Sequence, residues 1–275
     1  MSFASAMVEG AELRLRQPAE CLRSYLGCFW TIRTFFSTRL RSLPDACATI
    51  SCQVLTRGVA RCFLVGPLLE PRDRRPRAGQ ELFGVRLRPG AAFALIGIPM
   101  HKVTGRRMRL EMAMPRHGSS LAKGLGEVAT AEERIDILER FLVERLAGAR
   151  VEPRVALFLK RIEGSGGQIR IEELARECGV SARQLRRLLM TWVGLPPKRV
   201  ARVIRLQAFL QHAETSSEKK PTETALELGY FDQAHMSNEV ARLTGAIFPQ
   251  RVADFSKTRC GQTSRLVMVE GNLRT

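Results

Sequence analysis

One pattern occurs twice in the final 110 residues, about 50 residues apart, and it restricts that region to paired short helices. The first copy reads IEELARECGVSARQLRRLLMTWVG, from Ile171 to Gly194. The second reads PTETALELGYFDQAHMSNEVARLTG, from Pro221 to Gly245. Ala175 and Gly179 recur as Ala225 and Gly229 at an offset of 50. Leu185, Leu189 and Gly194 recur as Met236, Val240 and Gly245 at an offset of 51, as if the turn had gained one residue. In each copy a short apolar face, a glycine turn and a second amphipathic stretch follow in order, which is the signature of a helix-turn-helix. Two copies in register point to a module that reads DNA at two successive places.

Within the first copy Ser181 is placed to cap the second helix, on which Leu185, Leu188, Leu189 and Trp192 face inward. Arg183, Arg186 and Arg187 then fall on the opposite side, where arginine can pair with guanine in the major groove or with phosphate. In the second copy Ala225, Leu226 and Leu228 are expected to pack, and Asp232 to cap. Met236, Val240 and Leu243 face inward, leaving Gln233, Ser237, Asn238 and Arg242 outward. Gln and Asn suit adenine, and a short serine permits close approach. Between the copies Gly194 and Pro196-Pro197 end one helix and start another. Its stripe of Val200, Val203, Ile204, Leu206 and Leu210 predicts a linker helix over 197–213, about 25 Å long at the α-helical rise.

Charge supports this reading locally rather than globally. The chain of 275 residues carries a formal +17, a field that favours polyanions. Residues 1–150 hold 24 basic and 14 acidic side chains, residues 151–260 hold 18 and 12, so net charge does not locate the DNA-binding part. Between Glu177 and Glu214 there is no acid, while Arg183, Arg186, Arg187, Lys198, Arg199, Arg202 and Arg205 all occur. A solvated helix face ordinarily mixes signs, so Lys198 and Arg199 join the candidate DNA contacts, as does Ser181 at the start of the first recognition helix.

The first 110 residues alternate. Thr49–Leu55, Arg61–Val65 and Glu81–Leu87 are short, rich in β-branched or aromatic residues and bounded by Gly or Pro, which predicts a mostly antiparallel β domain. The run from Glu70 to Gln80, EPRDRRPRAGQ, reads as an exposed loop, and Gly118–Leu125 as ambiguous. From Thr130, a candidate N-cap with Glu132 and Glu133 behind it, Ile135, Leu138, Leu142 and Leu146 mark a helix. Val155, Leu159 and Ile162 form a further stripe that belongs with the DNA module. The expected organisation is two-domain α+β: a β-rich domain over 1–150 for effector sensing or dimerisation, an all-α double helix-turn-helix domain over 151–260, and a tail over 261–275 that either lacks structure or adds an edge strand.

Residues 151–259 resemble the AraC/XylS-type DNA-binding domain through LARECGVSARQLRRLL, GLPPKRVARVIRLQAFL and ALELGYFDQAH followed by RLTG. The resemblance implies base-contacting roles for Arg183, Arg186 and Arg187 in the first unit and for Gln233, Ala234, Ser237 and Asn238 in the second. Asn238 stands where the family very often has Arg, Val240 where Phe is frequent, and Gly245 is separated from Pro249 by one residue more than usual. LRSYLGCFWTIR and FGVRLRPGAAFALIGIP resemble the uncharacterised β-rich domain that precedes this module in some bacterial regulators. That pattern's LPDGCADL-like segment appears as LPDACATI, with Ala46 in place of Gly and Thr49 in place of Asp.

The resemblance implies a cytoplasmic regulator that binds double-stranded promoter DNA and answers to a small-molecule effector. Its partners would include RNA polymerase, recruited or occluded, and a second copy in a homodimer. Other classes fit poorly. No run of 18 apolar residues supports a membrane span, and MSFASAMVEGAELRLRQ has no basic leader before an apolar core. The first 110 residues offer no suggestive carboxylate pair, His101 and His117 lack partners for catalysis, and no Gly-rich phosphate loop occurs, so neither an enzyme nor a cofactor is expected. Cysteines at 21, 28, 47, 52, 62, 178 and 260 match no zinc spacing and read as reduced thiols, with no metal. Two alternatives remain open at this point: a thiol- or metal-responsive regulator, and a non-specific architectural DNA binder.

Overall fold

The computed structural model describes residues 4–8, 10–55, 58–215 and 221–245, and backbone segments at 259–260, 264–265 and 268–270. The N-terminal part of the described residues holds nine strands: β1 (Ala4–Val8), β2 (Ala11–Arg16), β3 (Leu26–Thr34), β4 (Arg39–Ser42), β5 (Ala48–Val54), β6 (Ala60–Val65), β7 (Arg72–Arg74), β8 (Glu81–Leu87) and, after a first helix, β9 (Arg107–Arg109). Seven of them form an antiparallel sheet in the order β1-β2-β3-β8-β5-β6-β9. Strand alternation gives this sheet two working faces. Phe29, Ile50, Cys52, Cys62, Leu64, Phe83 and Val85 point to one side. Trp30, Ile32 and Leu82 belong to the other, with Leu13 and Leu40. Because both sides are covered, β8 is buried along nearly its whole length.

Four helices cover the first face: α1 (Ala91–Ile96), α2 (Leu110–Ala113), α3 (Gly118–Glu127) and α4 (Ala131–Leu146). The expected cap of α4 is present as a reciprocal pair: the Glu133 amide donates to Thr130 Oγ1 at 3.2 Å, and the Thr130 amide to Glu133 Oε2 at 3.0 Å. Ile135, Leu138, Leu142 and Leu146 then lie buried against the sheet. The ambiguous segment at 118–125 is helix α3, and Gly118 has a reason to be there. A Cβ at that position would stand 2.7 Å from the Glu111 backbone.

The C-terminal part is all-helical: α5 (Pro153–Gly164), α6 (Ile171–Glu177), α7 (Ala182–Trp192), α8 (Pro197–Thr215), α9 (Pro221–Glu227) and α10 (Gln233–Thr244). The linker helix therefore runs two residues beyond its expected end. Two cores share it. Val200 and Val203 join Val155, Phe158, Ile162, Leu174, Leu185 and Leu189 in the first. Leu206, Phe209 and Leu210 join Ala225, Tyr230, Met236, Val240 and Leu243 in the second. Leu226, expected to pack, is instead 66% exposed; Leu228 packs at the margin of the second core.

Two further corrections and one choice between open alternatives follow from tertiary pairing. The 70–80 segment is not loop throughout, since β7 pairs with β4. Its polar residues are engaged: Arg41 Nε donates to Asp73 Oδ1 at 2.7 Å, Arg39 also bonds Asp73, and Arg74 donates to Gln53 Oε1 at 3.2 Å. Secondly, β10 (Arg259–Cys260), β11 (Ser264–Arg265) and β12 (Met268–Glu270) follow the helices, and β12 pairs antiparallel with β4, which is the edge-strand alternative for the tail. The outer sheet β12-β4-β7 thus includes strands from both sides of the C-terminal helices in sequence. Thirdly, Cys52 and Cys62, expected as reduced thiols, stand opposite each other on β5 and β6 with Cα atoms 4.1 Å apart and are joined as a disulfide. Among the described residues, no helix is long and apolar enough to cross a membrane.

The domains meet over several side chains. Phe93 of α1 packs on Trp192 of α7 with ring centroids 4.6 Å apart, and Thr104 Oγ1 donates to the Gly194 carbonyl at 2.9 Å. Gly194 sits at φ +85°, and a Cβ there would come within 2.4 Å of Thr104 Oγ1 and 3.0 Å of the Met100 carbonyl. Gly194→Ala is therefore expected to cost about 2 kcal/mol through backbone strain and displacement of this seam. Urea unfolding followed by tryptophan fluorescence measures it, because Trp192 lies in the contact.

Candidate DNA interface and the adjoining cavity

Helix α7 begins where the sequence places it. Ser181 is its N-cap: the Gln184 amide donates to Ser181 Oγ at 3.2 Å, and Gln184 Oε1 accepts from the Ser181 amide at 2.9 Å. The hydroxyl thus fixes the helix start, and the partial positive charge of that helix end faces outward. Arg183, Arg186 and Arg187 are exposed on one side of the first two turns, spaced three and four residues apart, while Leu185 and Leu189 are buried on the other. Lys198 is exposed at the start of α8.

The rest of the acid-free run is used inside the molecule. Arg199 is half-buried and donates to the Leu69 carbonyl of the β domain. Burial, and then the neighbouring Arg202 and Arg242, lower its pKa. Arg202 pairs with Glu239 of α10 at 2.7 Å. Arg205 donates to the Gly167 carbonyl at 2.9 Å and lies 5.2 Å from the Tyr230 ring centroid. These contacts brace α8 against its neighbours.

The second unit repeats the geometry with fewer charges. Asp232 caps α10 by accepting from the His235 amide at 2.6 Å. Gln233, Ala234, Asn238 and Arg242 are exposed, Ser237 is half-buried, and Met236, Val240 and Leu243 are buried behind them. His235 is exposed and meets Tyr230 edge to face. Phe231, immediately before the cap, is 86% exposed. Nothing in the hydrophobic periodicity singled it out, because it stands in the turn. Among the described residues, no three His, Cys, Asp or Glu side chains are grouped to hold a metal ion.

Sequence reasoning missed a second feature altogether. A cavity of about 610 Å³ lies between the second face of the seven-stranded sheet and the outer sheet. Trp30, Ile32, Leu40, Phe63 and Leu82 give it an apolar lining. Its charged residues are Arg72, Arg74, Arg86, Arg106 and Arg107 against Asp45 and Asp73. Asp73 is held by Arg41 and Arg39, which bring its pKa down to about 2. Asp45 pairs with Arg86, and both side chains are nearly inaccessible, at 6% and 4%. The signal available in the sequence was Asp45 itself, a lone carboxylate in the apolar stretch Leu43 to Ile50.

Two family models match the chain: a domain of unknown function, DUF6597, over residues 14–109, and a helix-turn-helix domain over residues 174–250. No curated protein matches. Among solved structures, the C-terminal domain of AraT, a response regulator from Geobacillus stearothermophilus, is similar at 22% identity and a TM-score of 0.35, over 38% of this chain and 86% of that one. ToxT from Vibrio cholerae O395, bound to (E)-4-(8-methylnaphthalen-1-yl)but-3-enoic acid, is similar at 10% identity and a TM-score of 0.40, over 92% and 99%. ToxT bound to an unsaturated fatty acid gives 8% identity, a TM-score of 0.39, and 92% and 96%.

Proposed function

We propose that this chain, a β-rich domain followed by a helix-turn-helix domain, is an AraC/XylS-type transcription regulator whose α7 and α10 read two successive stretches of promoter DNA. One observation carries the reading: both helices are capped at an outward end and present polar side chains there, and one helix is shared by both cores. With 19 residues, α8 spans about 28 Å, comparable to the roughly 34 Å between adjacent turns of a DNA groove. Arg183 and Arg187 read base edges, with Arg186 and Lys198 on phosphate. Gln233, Ala234, Ser237 and Asn238 form the second reading surface, and Arg242 adds charge. Such a regulator works by binding, through recruitment or occlusion of RNA polymerase. The β-rich domain supplies the response to a small-molecule effector and the surface for a homodimer.

Selection of bound sequences from a random DNA library by the full-length protein, at about 0.15 M salt, tests this. Two enriched blocks separated by about one helical turn are expected. One block alone removes the second unit from the reading surface, and no enriched block leaves only charge-driven binding.

A further inference from the structure

Five consecutive residues, Leu43 to Cys47, connect the cavity to both DNA-binding units. Leu43 is 2% exposed and belongs to the second helix-turn-helix core, with Leu206, Phe209 and Leu210 of α8. The next carbonyl, of Pro44, accepts from Gln207 Nε2 of α8 at 3.0 Å. Asp45 lines the cavity, as Leu43 also does, and there it pairs with Arg86. Its Oδ1 also accepts from the Cys47 amide at 3.0 Å, which closes the loop on itself. Ala46 is 1% exposed and belongs to the first helix-turn-helix core, with Val155 and Val200 among its members. Among the described residues, Ala46 is the one non-glycine with positive φ, at 60°. An L-residue in that region is strained and holds only while its surroundings impose it.

Here, then, is a strained loop held by two cores and one buried ion pair. Buried pairs of this kind sit near balance between the cost of desolvation and the attraction gained. Arg86 shows the cost: burial alone pushes its pKa down to about 9. Arginines outnumber carboxylates around the cavity, and one of the two carboxylates is already held by Arg39 and Arg41. The remaining surface is aromatic and aliphatic.

Resting on the reading of this chain as an effector-responsive DNA-binding regulator, we propose that the cavity takes a small organic anion with an apolar body. The anion replaces Asp45 at Arg86, and occupancy thereby releases the Leu43–Cys47 loop from both helix-turn-helix cores. With Leu43 and Ala46 withdrawn, the two reading helices lose a common support, and binding that needs both of them at once weakens. DNA and anion then oppose each other reciprocally, each lowering the other's affinity by the same factor.

The test uses full-length protein, phenylacetate, cinnamate and indole-3-acetate with their neutral amides as probes, and the variants Asp45→Asn and Asp45→Asn with Arg86→Met. At least one acid is expected to bind the wild type at least tenfold more tightly than its amide by calorimetry. Asp45→Asn removes the competing carboxylate and tightens that acid a further fivefold or more, a gain that misfolding does not imitate. The double variant keeps the cavity and loses the preference for acid over amide. Amide hydrogen exchange over 43–47 and 204–210 rises on binding the acid, and in Asp45→Asn without it. Affinity for two-block DNA falls at least fivefold in the same two conditions, and affinity for one-block DNA holds within twofold. Acids that bind no better than amides, to wild type and Asp45→Asn alike, overturn the proposal. So does acid binding that leaves both exchange and two-block affinity unchanged. A wild type that enriches no DNA motif defeats the regulator reading instead, and the calorimetric and exchange results still decide whether the anion takes Asp45's place.

Discussion

Arg86→Met lowers the stability of the folded chain by roughly 3–5 kcal/mol, the usual consequence of stripping one partner from a buried ion pair. The side chain stands on β8, the central strand of the seven-stranded sheet, and is 4% exposed. Methionine fills much of the volume, so most of the loss comes from the Asp45 carboxylate, itself 6% exposed, left without its cation. Adding Asp45→Asn to Arg86→Met removes that carboxylate and restores most of the stability, because an apolar or neutral replacement of the whole pair is often nearly neutral. Chemical unfolding at constant temperature measures both variants. The two tryptophans help, since Trp30 lines the cavity and Trp192 lies at the domain contact. A single variant within about 1 kcal/mol of wild type would mean the pair is worth little to the fold, and the double variant would then have nothing to restore.

Replacing Arg183 and Arg187 together by alanine is expected to reduce affinity for the selected DNA site far more than affinity for random DNA. Each bidentate base contact is worth roughly 1–3 kcal/mol, so the pair accounts for about 10- to 1,000-fold once partial overlap between neighbours is allowed for. Arg186→Ala instead weakens both kinds of binding alike and reduces the slope of log affinity against log salt by about one, as loss of a phosphate contact does. Arg199→Ala provides the contrast. Its guanidinium is committed to the Leu69 carbonyl, so the salt slope stays where it was. Equilibrium titrations on selected and random duplexes across a salt series separate the three cases. An equal fall on both duplexes for the Arg183 and Arg187 variant would reassign these side chains to phosphate.

The helical half of the molecule was legible because its determinants are local. Caps at Thr130, Ser181 and Asp232, glycine turns and apolar residues three or four apart act within one or two turns of chain, and the helices begin where those residues stand. Strands β5, β6 and β8 were legible for a similar reason, through alternation bounded by turn residues. β7 was hidden because Arg72-Asp73-Arg74 has the composition of a loop; only Arg41 and Gln53, far away in sequence, make it a strand position. Leu226 shows the opposite failure: its helical position predicts burial, but among the described residues that side is left 66% exposed. Charge alone also could not separate Arg187, facing solvent, from Arg199, facing Leu69. The cavity was illegible for the plainest reason. Its lining comes from seven strands and the turns between them, and no local rule anticipates a space that exists only when those strands meet. Ala46 is the nearest to an exception. It stands where the resembling pattern has Gly, and its backbone takes the conformation glycine favours.

The pairing of β12 with β4 has a bearing on how the chain acquires its function. During synthesis β4 and β7 leave the ribosome early, yet the edge that β12 covers stays open while all six C-terminal helices are being made. Pairing across so great a sequence distance is slow to form. The β-rich domain, made before the helices, is consequently completed after them, and it acquires its outermost strand only once all of α5 to α10 have been synthesised.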